Sequence, residues 1–169
     1  VQIRERLMCK TGRSIIERAK GIDYSPVTIT RDQKTYSREE TFGEDTVNTE
    51  QIFRTLLSLA SHVGEDIRKA KVFAGKFTLK LRYSDFTTVT KSVSCSYTNG
   101  DRDIYRIAEK LFTQLWTRRV RVRLLGIEAS GLIEDIEQQL LFTDESEHKK
   151  YSALDSLRLK YGRDIIGYA

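Results

Sequence analysis

The sequence predicts an α+β fold in the order β-α-β-β-α-β, the split ferredoxin-like arrangement, with a four-stranded antiparallel sheet and two helices on one face. Three observations predict it: two strand-like runs around a short turn, a long amphipathic segment before them and another after them. A further strand-like run stands at each end of this pattern. Because two amphipathic helices cover one side of a sheet, the other side is expected to remain open.

The central hairpin spans residues 75–94, where apolar and polar residues alternate on both sides of Ser84-Asp85-Phe86. A three-residue loop pairs Arg82 with Thr88 and keeps the two faces consistent, whereas a two-residue loop mixes them. This register predicts an apolar face, with Lys91 as its exception, and a polar, cationic face. The polar positions are Thr78, Lys80, Arg82, Thr88, Thr90 and Ser92. The alternative interpretation of the polar face is a solvated sheet surface.

The remaining elements of the domain flank this hairpin. Residues 35–42 and 120–130 are expected to form the first and last strands. Asn48 is expected to cap the first long helix, whose inner side carries apolar residues between Ile52 and Ile67. The second helix is expected from about Asp101 to Trp116.

The chain before this domain predicts two short helices in residues 1–25, broken at Gly12 and stopped at Gly21. The segment 26–34 contains the only proline, Pro26, and has no helical period, so it is interpreted as a linker. The β-α-β-β-α-β domain then takes residues 35–134.

The tail, residues 135–169, predicts one more amphipathic helix that ends at Gly162. Its apolar face is expected to carry Tyr151, Leu154, Leu157 and Tyr161.

The 169 residues carry a formal net charge of +5 and a pI near 9.2, which favours a polyanionic partner without deciding for nucleic acid. Cys9 and Cys95 have no partner at ligand spacing, so neither a disulfide framework nor a metal site is indicated, and a reducing, cytoplasmic setting fits. No run approaches the ~20 apolar residues of a membrane span, so no membrane partner is expected. The chain does not begin with methionine, which favours a piece of a longer protein.

The polar face of the hairpin indicates the kind of partner. RNA-recognition domains of the same topology stack bases on aromatic side chains. Hydroxyls and cations instead contact phosphate oxygens, which suits the backbone of a duplex bound without sequence reading. Arg118, Arg119, Arg121 and Arg123 add positive charge where the last strand begins, although a solvated strand end is the alternative interpretation of that run.

Four segments in order resemble one family. Residues 80–92 (KLRYSDFTTVTKS), 103–116 (DIYRIAEKLFTQLW) and 122–132 (VRLLGIEASGL) resemble the little-finger domain of Y-family translesion DNA polymerases of the bacterial DNA polymerase IV type. Residues 11–27 are similar to the end of that family's thumb. The resemblance implies a DNA-binding piece of an error-prone polymerase that grips template and primer backbones in the major groove, as a monomer in the bacterial cytoplasm.

The resemblance also implies particular DNA contacts. The family's phosphate-contacting positions match Arg38, Thr90, Lys91 and Arg123, and the polar face and the arginine run add Lys80, Arg82, Thr88 and Arg121. The chain departs from some relatives at Leu124 and Glu128, where those relatives carry basic residues. Contact through the fourth strand is therefore less strongly predicted than contact through the hairpin.

No catalytic residue is predicted in this chain. The family's palm and fingers, whose carboxylates hold two metal ions, have no counterpart in these residues. The resemblance implies that the parent chain is a DNA-directed DNA polymerase using magnesium, whereas this piece needs no cofactor and does not polymerise. The alternative function is a self-standing ferredoxin-like module that binds nucleic acid or protein.

The tail contains a short peptide, QQLLF, that matches the sliding-clamp-binding motif Gln-x-x-Leu-Phe of these polymerases through Gln138, Leu141 and Phe142. The alternative interpretation is an apolar tether that folds back on the domain. The helix after it resembles tails of both polymerase IV and the catalytic subunit of polymerase V.

Overall fold

The computed structural model describes residues 9–24, 26, 33–118, 120–134 and 145–162. The chain divides into two compact units, residues 1–32 and 33–169.

The first unit contains α1 (Cys9–Ala19). This helix runs through Gly12, so the predicted break there is wrong, because one glycine weakens a helix by about 1 kcal/mol without removing a hydrogen bond. The predicted stop at Gly21 is confirmed: its φ is 77°, and the N–H groups of Gly21 and Ile22 each donate to a carbonyl oxygen of the last turn at 3.0 Å. Residues 1–8 of the helix predicted before Gly12 and most of the predicted linker 26–34 lie outside the described residues.

The second unit follows the predicted order and adds a tail helix. Its elements are β1 (Thr35–Thr46), α2 (Thr49–Lys69), β2 (Val72–Tyr83), β3 (Thr88–Thr98), α3 (Asp101–Leu115), β4 (Val122–Glu134) and α4 (Glu145–Tyr161). The strands form one antiparallel sheet in the order β1-β4-β2-β3. The unit β1-α2-β2 therefore has β4 between its two strands, and the unit β3-α3-β4 has β2 between its two strands. The predicted fold class is confirmed.

The helical layer forms where the apolar stripes predicted it. The Asn48 side chain accepts hydrogen bonds from the N–H groups of Glu50 and Gln51 at 3.0 and 3.3 Å, so the predicted cap of α2 is confirmed. The inner sides of α2 and α3 pack on the sheet in one core that includes Ile52, Leu56, Val63, Ile67, Ile104, Leu111, Phe112, Phe77, Leu79, Leu81 and Leu125. No helix among the described residues has the length and hydropathy needed to cross a bilayer.

The hairpin adopts the predicted register. Arg82 pairs with Thr88, and the Tyr83 N–H donates to the Thr87 carbonyl at 2.9 Å, which leaves the three-residue loop Ser84-Asp85-Phe86 between the strands. Phe86 closes this loop with a φ of 63°. The same twofold alternation that predicted the faces therefore also predicted the strand partners.

The tail helix α4 ends at Gly162 as predicted, but its predicted apolar face is wrong in half of its members. Tyr151 is buried, whereas Leu157 and Tyr161 are 41% and 55% exposed. Arg158 is buried instead. The inward side of α4 is set by charged groups on α2 and α3, so apolar spacing alone does not predict it.

Those charged groups form the α4 network, which consists of Arg68, Asp101, Asp155 and Arg158. Arg68 donates from Nε and Nη2 to the Asp155 carboxylate at 2.7 and 2.9 Å, and from Nη1 to Asp101 Oδ1 at 2.6 Å. Arg158 Nη1 lies 3.3 Å from the other Asp101 oxygen, which also accepts from Ser61 Oγ at 2.8 Å. The network thus joins α4 to α2 and to the start of α3.

Candidate nucleic-acid interface

The open face is the side of the sheet opposite α2 and α3. From the hairpin turn outward, strand register places its residues in the rows Thr41-Leu124-Arg82-Thr88, Glu39-Gly126-Lys80-Thr90, Ser37-Glu128-Thr78-Ser92 and Thr35-Ser130-Lys76-Ser94. The rows between them, such as Arg38-Ile127-Leu79-Lys91, face the helices.

Four of the eight predicted DNA contacts share the open face. These are Lys80, Arg82, Thr88 and Thr90. Arg82 Nε donates to Thr88 Oγ1 at 2.9 Å, which holds the guanidinium along the sheet surface. Both threonines are exposed, so their hydroxyls are accessible to an incoming phosphate. Leu124 and Glu128, where the chain departs from some relatives, lie on this face too.

Glu39 partly neutralises the open face. Its carboxylate oxygens accept hydrogen bonds from Lys80 Nζ at 2.8 and 3.0 Å, across the intervening strand β4. Gly126 lies between them on β4, and a Cβ at this position would approach Glu39 Cγ to 2.7 Å. The missing side chain therefore makes room for the pair. Sequence reasoning missed Glu39, although the period of β1 places it on the polar side.

Arg38 and Lys91 do not share the open face with Thr90. They end one helix-facing row, at the two opposite edges of the sheet. Arg38 is held by Asp66 of α2, with Nε and Nη2 at 2.7 and 3.0 Å from its oxygens, and this hydrogen-bonded pairing raises the pKa of Arg38. Lys91 is exposed. The DNA-contacting role of both residues stays a prediction.

The arginine run lies beside the hairpin turn. The Ser84 N–H donates to the Arg121 carbonyl at 2.8 Å, which ties the turn to the start of β4. Arg118 Nη2 lies 2.7 Å from Asp85 Oδ2. Hydrogen bonds from Thr87, together with Arg118, hold the pKa of Asp85 below its usual value, so this carboxylate remains charged. The Arg121 side chain is exposed, and Arg119 lies outside the described residues.

Arg123 belongs to the same end of the sheet. Its Nη1 lies 3.4 Å from Asp45 Oδ1, and its guanidinium carbon lies 4.8 Å from the centroid of the Phe86 ring. Sequence reasoning missed both partners, since neither the charge run nor the twofold period identifies them. The hairpin end therefore combines several arginines with an aromatic ring.

The predicted clamp motif, Gln138, Leu141 and Phe142, lies outside the described residues. It stands in the chain between β4, which ends at Glu134, and α4, which begins at Glu145.

Comparisons with known proteins agree with this architecture. The chain is 32% identical over 161 residues to DNA polymerase IV of Clostridium acetobutylicum, covering 92% of this chain and 40% of that protein. It is 37% identical over 135 residues to DNA polymerase IV of Streptococcus thermophilus, covering 79% and 36% respectively. The chain thus spans about 40% of the length of the first of these curated relatives.

Solved structures show the same fold at lower identity. A Y-family polymerase chimera of Dbh and Dpo4 superposes with a TM-score of 0.58 at 19% identity, covering 78% of this chain and 38% of that one. An insertion ternary complex of Dbh DNA polymerase gives a TM-score of 0.54 at 16% identity, covering 79% and 38%. The sequence model described as the impB/mucB/samB family C-terminal domain matches residues 33–141. The chain therefore belongs to the impB/mucB/samB family, and the resemblance to the C-terminal part of a Y-family DNA polymerase is confirmed.

Proposed function

We propose that this chain is the DNA-binding C-terminal part of a translesion DNA polymerase, and that its open face grips the backbone of primer/template duplex. The observation that carries the proposal is the open face itself, where Arg82, Thr88 and Thr90 lie in adjacent rows and a further cation, Lys76, lies two rows beyond Thr90 on the same face. Relatives named DNA polymerase IV support the assignment. The proposed setting is the bacterial cytoplasm, and the proposed state is a monomer.

The geometry of the hairpin supports binding in the major groove. This groove of B-DNA is about 12 Å wide and admits a two-stranded β-ribbon. β2 and β3 form a hairpin at one edge of the sheet, in which β3 is the edge strand and β2 also pairs with β4. Threonine hydroxyls and the guanidinium of Arg82 can donate to phosphates there, while Lys80 can exchange Glu39 for a phosphate. Contacts of this kind position a duplex without reading its sequence.

Salt-dependent duplex binding tests the open face. Each neutralised phosphate adds about −0.9 to the slope of log K against log salt concentration. Lys76→Ala together with Arg82→Ala should therefore make the slope shallower by about 1.8 and weaken all duplex sequences alike. The matched control is Arg106→Ala with Lys110→Ala, which removes two exposed cations from α3. Equal losses in both double variants, or binding that ignores salt, would contradict the proposal.

The contacts implied by the family are tested separately. Lys91→Glu and Arg123→Glu should each weaken every duplex to a similar extent, because a reversed charge repels phosphate. If Lys91→Glu has no effect on duplex affinity while the open-face variants weaken it, the duplex contacts the open face and does not reach Lys91 at the β3 edge.

Polymerase activity is proposed to reside in a longer parent chain that uses magnesium. With magnesium, nucleotides and a primed template, this chain alone is expected to give no primer extension. Extension that follows the protein through a sizing column would overturn this part of the proposal.

The tail is proposed to bind a bacterial sliding clamp through Gln138, Leu141 and Phe142. Burying two such apolar side chains contributes roughly 3 to 5 kcal/mol before ordering costs, to which the hydrogen bonds of Gln138 add. Leu141→Ala with Phe142→Ala should abolish capture by immobilised clamp and leave duplex binding unchanged. A double variant that is captured as well as the parent would favour the tether interpretation.

A further inference from the structure

Phe86 is a large apolar residue in the exposed turn of the hairpin. Its side chain is 65% exposed, the highest value for a large apolar residue among those described between 33 and 134. Exposing a phenyl ring to water is unfavourable, and this ring contributes little to the core beneath the sheet.

The backbone at Phe86 is also unfavourable for this residue type. Its φ of 63° lies in the left-handed region, which bulky side chains rarely adopt and which asparagine or glycine adopts readily. The turn is nevertheless well fixed: the Phe86 N–H donates to the Tyr83 carbonyl at 3.0 Å, and the Thr87 N–H donates to Asp85 Oδ1 at 2.9 Å. A three-residue hairpin loop normally places its last residue in the left-handed region, so the conformation follows from the loop. It is the use of an exposed phenylalanine there, rather than asparagine or glycine, that indicates a binding role.

The surroundings of the ring indicate its ligand. The Arg123 guanidinium lies 4.8 Å from the ring centroid, and Arg121 is exposed on the adjoining stretch of chain. Thr88, two residues after Phe86, belongs to the first row of the open face. The ring therefore lies between the arginine run and the proposed duplex-binding surface. An aromatic platform beside arginines is the arrangement that binds single-stranded nucleic acid.

We propose that Phe86 stacks on an unpaired base of single-stranded DNA, with Arg121 and Arg123 contacting the flanking phosphates. This proposal rests on the proposed function and adds a second kind of contact to it. Bases within a duplex are already stacked, so without unstacking and kinking the duplex a protein ring reaches a base face only at an end or on an unpaired nucleotide. The chain should therefore bind a duplex that carries a single-stranded overhang more tightly than a blunt duplex of equal charge.

Fluorescence anisotropy with a blunt duplex, an overhang duplex and oligothymidine tests the proposal. Phe86→Ala should weaken binding of the overhang duplex and oligothymidine by about fivefold or more and leave the blunt duplex unchanged. Phe86→Trp should retain binding, and its added indole emission should be quenched by oligothymidine, with the parent carrying Trp116 alone as the reference. Val93→Ala, which trims another exposed apolar side chain of the hairpin, is the matched control.

A second variant separates binding from folding. Phe86→Asn should lose overhang binding like Phe86→Ala and should raise the thermal midpoint, because asparagine tolerates the left-handed backbone. If Phe86→Ala binds the overhang duplex as tightly as the parent, or the parent does not prefer it, the stacking assignment is wrong while the proposed function stands. A parent that binds neither duplex contradicts both.

Discussion

Two sets of ion pairs in the second unit use the same chemistry in opposite surroundings. On the open face, the side chains of Lys80 and Glu39 are 32% and 42% exposed. In the α4 network, the side chains of Arg68 and Asp101 are 7% and 0% exposed. An exposed pair contributes about 0–1 kcal/mol and exchanges readily for another ligand, whereas removing one partner of a buried pair costs about 3–5 kcal/mol. The first arrangement suits reversible phosphate binding, and the second fixes a helix.

The buried polar atoms of the α4 network are satisfied by hydrogen bonds to several partners. Arg68 also donates from Nη1 to the Asn99 carbonyl at 2.6 Å, and its guanidinium lies 4.7 Å from the centroid of the Tyr151 ring. Burial acts to lower the pKa of Arg68, but hydrogen bonds and charge from Asp155 and Asp101 raise it above its usual value. The arginine therefore stays charged, and α4 is attached by charge-assisted hydrogen bonds.

The largest expected effect comes from breaking the α4 network at its centre. Asp101→Ala leaves Arg68 and Arg158 buried without their shared carboxylate, so the free energy of unfolding should fall by about 3–5 kcal/mol in urea titrations. Asp103→Ala is the matched control, because it removes an exposed carboxylate from the same first turn of α3. If the two variants lose equal stability, the network is not the source of the effect.

Gly64 on α2 gives the next effect. An added Cβ would collide with the Asp101 carboxylate and approach Arg68 Nη1 to 2.9 Å. Gly64→Ala should therefore lower the free energy of unfolding by about 1–3 kcal/mol, although alanine in a helix interior normally gains about 1 kcal/mol. In an Asp101→Ala background the same substitution should cost much less, and a double-mutant cycle measures the difference. Simple additivity would contradict a clash with Asp101.

The smallest effect on stability is expected on the open face, where the substitution should also increase duplex affinity. Glu39→Gln releases Lys80 and should change the free energy of unfolding by about 1 kcal/mol or less. Duplex affinity should rise, because Lys80 no longer has to leave a carboxylate before it contacts a phosphate, while the log–log salt slope should change by less than about 0.9 because the number of phosphate contacts stays the same. Glu40→Gln is the control: it makes the same charge change at the adjacent residue of β1, whose row faces the helices. An equal gain in both variants would indicate net charge alone.

Much of the fold was predictable because its signals are local. The twofold alternation around residues 84–86 predicted the pairing of Arg82 with Thr88, and Asn48 predicted the start of α2. The predicted helix break at Gly12 was wrong, because glycine is tolerated inside a helix at a modest cost. The predicted inner face of α4 was partly wrong, because Tyr151 and Arg158, rather than an apolar stripe, are the residues buried there.

The candidate site divides in the same way. The sequence by itself determined which residues share a face, since side-chain direction follows the period of each strand. It therefore placed Lys80, Arg82, Thr88 and Thr90 together. Only the tertiary structure decided the partners of those charges, because the sheet order β1-β4-β2-β3 brings Glu39 to Lys80 across Gly126. No periodicity encodes that order, since it results from how two β-α-β units pack through one core.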